Sequence, residues 1–413
     1  MEALVSSSKL SDDTEALKFP IPLEFQSQLR FIDSCDHRSD EEILASLAVY
    51  EAVTSEKNIW AFWHSGAATM PGWCQRNVIN WARLCGPSWT IRILDAVADS
   101  PNHFLKYLSP DVLPETLIEG TMTGPYIGQH SADFLRGACL HEYGGVFMDV
   151  GIILFRSLDR ICWRELEDPE SPYQICVSRI YGPFMGNWFV AARKGDPFIK
   201  AWHDIFMHLW EDRVNYEGIG KERLIAWCQL IDFSEARNHG FNVEFNVEPD
   251  KVVEYVAQII VWVRLCMING GAKIGELNWS RYAKDRVLWF DAVAEVFGAE
   301  SVVDFRGQKV FDALTTRMDA DEESEEYRLA YQAIWRMLTK SSMQKVMHGK
   351  GHTETPALGV LLDLPENEGR DREPGTFAEL LRYGSVHFEQ TREMEYADYQ
   401  RPADIWDKGI FES

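Results

Sequence analysis

Between residues 58 and 95 the chain reads strand, helix, strand, and nothing else in the sequence restricts its fold as strongly. NIWAFWHSG is a short apolar, aromatic run ending at Gly66, the pattern of a buried strand that opens into a loop. WCQRNVINWARL sets Val78, Trp81 and Ala82 at helical spacing, and Gly86-Pro87 ends it. WTIRILD is strand-like again, with Asp95 at its end. Two strands and an intervening helix within about forty residues are the βαβ pattern of a parallel, nucleotide-binding type of sheet.

The block HSADFLRGACLHEYGGVFMDVGIILFRSLD carries the chemistry. Ser131 is placed as an N-cap, a helix is expected through Tyr143, and Gly144-Gly145 ends it. VFMDV then reads as a central, buried strand. An aspartate inside such a strand is costly unless it is paired, hydrogen-bonded or bound to a ligand, which marks Asp149 as functional. The bland alternative is that it caps a nearby loop. Asp133 and Arg136 lie three apart on the preceding helix and share a face. Their spacing fits an ordinary surface ion pair, but their place one helix before Asp149 fits a shared cleft.

Composition narrows the classes. The 413 residues are 46% hydrophobic and 25% charged, ample for a core and incompatible with wholesale disorder. A net charge of −23 argues against a protein that wraps nucleic acid. The eight cysteines show no metal spacing and several sit in apolar contexts, as free thiols of a reducing compartment do. With no signal-peptide pattern at the N-terminus and the longest apolar stretch, 256–268, too short for a bilayer, the expected location is cytoplasmic.

Outside the informative block, helices are expected from Asp40 through ILASLAVYEAV, over the aromatic stretch after Gly195-Asp196-Pro197, over 251–268, and after the acidic run 319–326. SSMQKVMHGKGHTE reads as a loop and PENEGRDREPG as a polar linker. The expected organisation is a loosely ordered arm (1–35), a catalytic domain (36–360), and a linker, short helix and tail (361–413).

NIWAFWHSG, WTIRILD, SADFLRGACLHEYGG and VFMDVG, in this order over roughly residues 55–210, resemble the glycosyltransferases of the capsular-polysaccharide-synthesis-like family, in its fungal secondary-metabolism branch. The resemblance implies an α/β, GT-A-like nucleotide-diphospho-sugar transferase fold: a Rossmann-like mixed sheet flanked by helices, with a helical C-terminal extension. It further implies a hexosyltransferase-like enzyme moving a sugar from a nucleotide sugar to a small or lipophilic, terpenoid-like acceptor. By the same resemblance Phe62, Trp63, His64 and Ser65 hold the base and ribose, with Gly144, Gly145 and Lys350 also on the donor. Asp133, Arg136 and Asp149 are the implied catalytic residues, Asp133 and Arg136 on the donor sugar and its diphosphate. The aromatic run NWFVAARKGDPFIKAWHDIFMHLW favours an apolar acceptor groove.

One departure stands out. The family's Asp-x-Asp, which binds Mn²⁺ or Mg²⁺, is Asp149-Val150-Gly151 here, and one carboxylate holds a hard cation poorly. Three outcomes follow: the metal is kept by Asp149 with His348; Lys345, Lys350 and Arg136 neutralise the diphosphate; or donor chemistry has been lost. His348 and His352 also read as surface residues of a Gly-rich loop, and Glu142, Asp159 and Asp196 are each open as general base. A rival function is an aminoacyl-tRNA-dependent, arginine-containing cyclodipeptide synthase, with Asp321, Glu322 and Glu325 receiving a guanidinium. It alone brings a tRNA partner. A binding module without catalysis is the third reading.

Overall fold

NIWAF and TIRIL pair in parallel, Asn58 opposite Thr90 and Phe62 opposite Leu94, and the Gly72–Cys85 helix crosses between them. The computed structural model describes residues 18–231, 234–270, 277–349 and 351–413. Its strands, in chain order, are β1 (Leu29–Phe31), β2 (Asn58–Phe62), β3 (Thr90–Leu94), β4 (Gly145–Met148), β5 (Ile152–Leu154), β6 (Ile175–Tyr181), β7 (Phe184–Ala192), β8 (Val287–Asp291), β9 (Met343–Lys345) and β10 (Phe388–Gln390). Six of them make the central sheet in the order β3-β2-β4-β7-β6-β8. β3, β2 and β4 are parallel; β7 runs antiparallel to β4 and β6; β8 is parallel to β6. The molecule is thus α/β with a Rossmann-like mixed sheet flanked by helices, as the resemblance implied, in which β7 alone runs against the other five strands.

Side chains alternate along the central strands, so each strand feeds two cores. Ile59 and Ala61 of β2 and Val146 and Met148 of β4 join Trp73, Val78 and Trp81 of the crossover helix and Ile334 and Trp335 of the Glu325–Lys340 helix. Trp60, Phe62 and Phe147 point the other way, onto Phe134 and Leu135 of the Ile127–Tyr143 helix, Trp202 and Phe206 of the Pro197–Leu209 helix, and Trp262 of the Ala257–Met267 helix. Burying side chains of this size contributes about 1.5–3 kcal/mol apiece before the entropy of ordering them is subtracted.

The crossover helix does more than pack. Asn77 donates to the Val150 carbonyl (2.9 Å), Trp81 Nε1 to that of Ile152 (2.8 Å), and Asn80 both donates to Leu154 O and accepts from Leu154 N. These buried polar side chains satisfy the backbone of 150–154, so the segment following Asp149 is tied to a rigid element.

Several expectations are corrected. The helix before β4 begins at Ile127, not at Ser131, which is fully buried inside it; the start is set by Tyr126, packed among Tyr255 and His352. Asp149 lies just past the end of β4 rather than within it. The helix after Asp40 is capped by Ser39 and stops at Ser46, beyond which Val49 and Tyr50 are exposed. The stretch 251–267 is two helices, Pro249–Tyr255 and Ala257–Met267, broken at Val256. Part of the expected loop at 341–354 is β9, paired antiparallel with β5.

Among the described residues, segments of both the expected arm and the expected linker belong to the main body. β1, within the expected arm, pairs with β10. Asp371, within the expected linker, is buried between Arg76 and Arg382 at 2.5 and 2.6 Å. All eight cysteines are free, as their spacing implied. Among the described residues no helix is long and apolar enough to cross a membrane.

Candidate functional site

β2 and β4 end side by side. Phe62 closes β2 and leads into Trp63, His64 and Ser65; Met148 closes β4 and leads into Asp149. The crevice beyond the carboxyl ends of parallel strands is where α/β sheets bind ligands, because the loops diverge there. A cavity of 690 Å³ opens at this place, a size suited to a substrate. Phe62, Trp63, His64 and Ser65 all line it, as do Asp133, Arg136, Asp149, Lys345 and His348.

The polar side chains form one network. Arg136, buried, donates to Asp133 Oδ1 (2.5 Å), to Gln258 Oε1 (2.7 Å) and to Asp149 Oδ1 (3.2 Å). Its guanidinium also lies over the Phe147 ring. Asn187 of β7 donates to Asp133 Oδ1 at 3.1 Å and to Gln258 Oε1 at 3.0 Å. Lys345, at the end of β9, donates to Asp149 Oδ2 at 2.7 Å. The sequence's two readings of the Asp133–Arg136 pair are thereby decided: it is buried, and it borders the same cavity as Asp149. Burial opposes ionisation of Asp149, but the Lys345 ammonium and the Arg136 guanidinium together hold its carboxyl below the usual carboxylate value.

Mn²⁺ or Mg²⁺ would need free oxygen ligands here. Both oxygens of Asp149 are already taken by cations, and His348 Nε2 is paired with Asp363 Oδ2 at 2.7 Å. Asp363 also accepts from Trp73 Nε1 at 2.9 Å. A Cβ on Gly151 would sit 2.9 Å from the Val346 carbonyl and 3.4 Å from Lys345 Nζ, so a second carboxylate has no room without a backbone shift. Among the described residues no three His, Cys, Asp or Glu groups gather as a metal site. The residues present do not fit a divalent cation.

Other expected residues lie elsewhere. Gly144 and Gly145 are at the opposite end of β4, where φ values of 71° and 107° make the helix-to-strand turn; a Cβ on Gly144 would lie 2.8 Å from Lys194 N, and one on Gly145 would overlap the Asn58 carbonyl. Lys350 lies outside the described residues. Of the base candidates, Glu142 is exposed, Asp159 pairs with Lys57, and Asp196 caps the Pro197–Leu209 helix; none lines the cavity. Asp321, Glu322 and Glu325 are exposed around the start of the Glu325–Lys340 helix and do not line it either.

The aromatic residues Phe198, Trp202 and Phe206 are core, buried against the Ile127–Tyr143 and Ala257–Met267 helices. The apolar lining comes instead from Phe241, Val243, Phe245, Val252, Val256 and Ile259, together with Ile180, Phe184 and Trp188 of the β6–β7 hairpin. Residues 241–245 belong to no helix or strand, so no period marked them. His352 also lines the cavity, bonded through Nε2 to the Tyr126 hydroxyl at 2.7 Å, and burial lowers its affinity for a proton.

A family model described as capsular polysaccharide synthesis protein matches residues 36–217, which span the two parallel strands and the Asp133–Arg136–Asp149 cluster. The chain is 48% identical over 399 residues to probable glycosyltransferase FCK3 of Fusarium pseudograminearum (strain CS3096), covering 96% of this chain and 100% of that one. It is 38% identical over 372 residues to O-glycosyltransferase braB of Annulohypoxylon truncatum, covering 88% and 87%. It is 35% identical over 384 residues to O-glycosyltransferase PaGT of Phomopsis amygdali, covering 89% and 91%. Relatives that match over most of the chain, and a cavity where an α/β sheet binds its ligands, make the chain a member of this family of fungal glycosyltransferases.

Proposed function

We propose that the protein transfers a sugar from a nucleotide-sugar donor to a hydroxyl of a small, lipophilic acceptor. The observation that carries this reading is the cavity's division of labour. The strand ends supply charged groups and N–H donors, while the 236–259 segment and the β6–β7 hairpin supply an apolar, aromatic wall. A nucleotide sugar needs the first and a terpenoid-like acceptor the second. The names of braB and PaGT support an O-linked product.

In this reading Phe62 and Trp63 lie against the base, with His64 and Ser65 at the exposed rim toward the ribose. Asp133 and Asp149 accept hydrogen bonds from sugar hydroxyls, and Arg136 fixes both carboxylates in one orientation. During transfer the bond from the anomeric carbon to the β-phosphate oxygen breaks, its electron pair leaving with the nucleoside diphosphate. A bond from the acceptor oxygen to that carbon replaces it. The acceptor's proton leaves on the diphosphate or to water. Positive charge preorganised beside the departing phosphate lowers the barrier.

The experiment offers UDP and GDP sugars with a panel of sterol, terpenoid and polyhydroxyl alcohols, and mass spectrometry reads the products. The expected result is one donor used with an apolar alcohol, and a loss of at least about 100-fold in turnover for Asp149→Asn with the melting temperature retained. Transfer only to polyhydroxyl acceptors overturns the acceptor assignment, and no transfer from any nucleotide sugar overturns the donor.

A further inference from the structure

We propose that the Lys345 ammonium, not a divalent cation, neutralises the diphosphate of the donor. The inference rests on the donor reading above and extends it to the charge chemistry of the leaving group.

The position of Lys345 is built into the fold. β9 pairs with β5 so that Lys345 lies opposite Ile152, and Val346 N donates to Gly151 O at 2.7 Å. This register carries the lysine across the Asp149-Val150-Gly151 turn. Its side chain is 14% exposed and its Nζ is 2.7 Å from Asp149 Oδ2. Residue 151 is glycine, so no carboxylate competes for that space, and the nearest atoms to a Cβ there are the Val346 carbonyl and Lys345 Nζ itself.

Among the cavity's uncommitted groups, donors lie nearest Lys345, and His348 Nδ1 is also without a partner. Asp149 engages one of the three ammonium hydrogens of Lys345. Arg136 Nε and Trp188 Nε1 are buried without a partner. Of the carboxylates, Asp149 has a cation on each oxygen and Asp363 a donor on each, while Asp133 takes Arg136 and Asn187 on Oδ1. Free N–H groups beside a paired lysine match phosphate oxygens, and a buried donor left without a partner costs free energy until such an oxygen arrives.

Isothermal titration of the full chain with UDP and with GDP tests this, once in EDTA and once in Mn²⁺. The expected result is binding in EDTA of one nucleotide, changed less than about threefold by Mn²⁺. Lys345→Met should weaken that binding at least about tenfold, the loss of one charge-assisted contact, while Lys345→Arg restores part of it. Should Lys345→Met fold poorly, the double variant Asp149→Asn/Lys345→Met removes the pair without stranding a charge and is expected to show the same loss. Binding seen only with Mn²⁺, or unchanged in the Lys345 variants, overturns the inference and leaves the donor reading standing. No binding of either nucleotide in any arm overturns both.

Discussion

Trp188 lies along its own strand because residue 186 has no side chain: a Cβ on Gly186 would run into the indole. The ring is held on its far side by an edge contact with Phe297, 5.4 Å between centroids, and its Nε1 faces no protein partner. One glycine therefore sets the shape of the cavity at the β6–β7 hairpin. Gly186→Ala is expected to push the indole off its seat and lower kcat/KM by about 10- to 100-fold, since small misplacements at a site are costly, with a much smaller effect on the melting temperature. A variant with unaltered kinetics would show that the indole is only packing. At this scale the sequence was informative about charge and silent about shape. Asp149 could be picked out because a charge in an apolar strand context is expensive, and Asp133 and Arg136 because they share a helix face just upstream of it. Trp188, Asn187, Gln258 and Asp363 could not, because each is brought to the cavity or its hydrogen-bond network by neighbours distant in the chain.

At the scale of elements, β9 carries the most consequence for its length. Three residues, Met343–Lys345, bring Gln344 and Lys345 to two different environments. Gln344 donates to Glu300 Oε2 at 2.6 Å, and burial pushes the Glu300 carboxyl up to about 7 from an ordinary 4.5. The folded state therefore binds the proton more tightly than the unfolded chain. The resulting stability is complete below the unfolded value and is lost as pH rises from about 4.5 through about 7. Glu300→Gln should leave the melting temperature near pH 4 unchanged and raise stability at pH 8 by up to about 3 kcal/mol, checked by denaturant titration at both values. Equal effects at both pH values would contradict the assignment. Elements with a strong local period were legible: the strands at 58–62 and 90–94 and the helix between them appear where the pattern put them. β9 was not, because a three-residue strand paired with a partner far away in the chain leaves no periodic trace. The Ser131 cap misled for a related reason: tertiary packing of Tyr126, not local capping, sets the start of that helix.

On the scale of the whole molecule, the parts after residue 217 complete the site that the family model leaves off. Lys345, His348, His352 and Asp363 all reach the cavity from that region, and so does the apolar segment 241–259. The C-terminal stretch also closes the fold. β10 pairs with β1, and Arg392 grips the buried carboxylate of Glu295 through two hydrogen bonds of 2.9 and 2.7 Å. The cavity is thus assembled from an N-terminal sheet that supplies its floor and a C-terminal half that supplies Lys345 and the apolar wall, which the proposed reading gives to donor and acceptor respectively. The crystal structure of the full chain with the nucleoside diphosphate of its donor tests this account most directly. The account predicts the base against Phe62 and Trp63 at the end of β2, and the diphosphate about 3 Å from Lys345 Nζ. A nucleotide seated away from the ends of β2 and β4, or a diphosphate held through a metal ion on Asp149 with Lys345 turned aside, would contradict it.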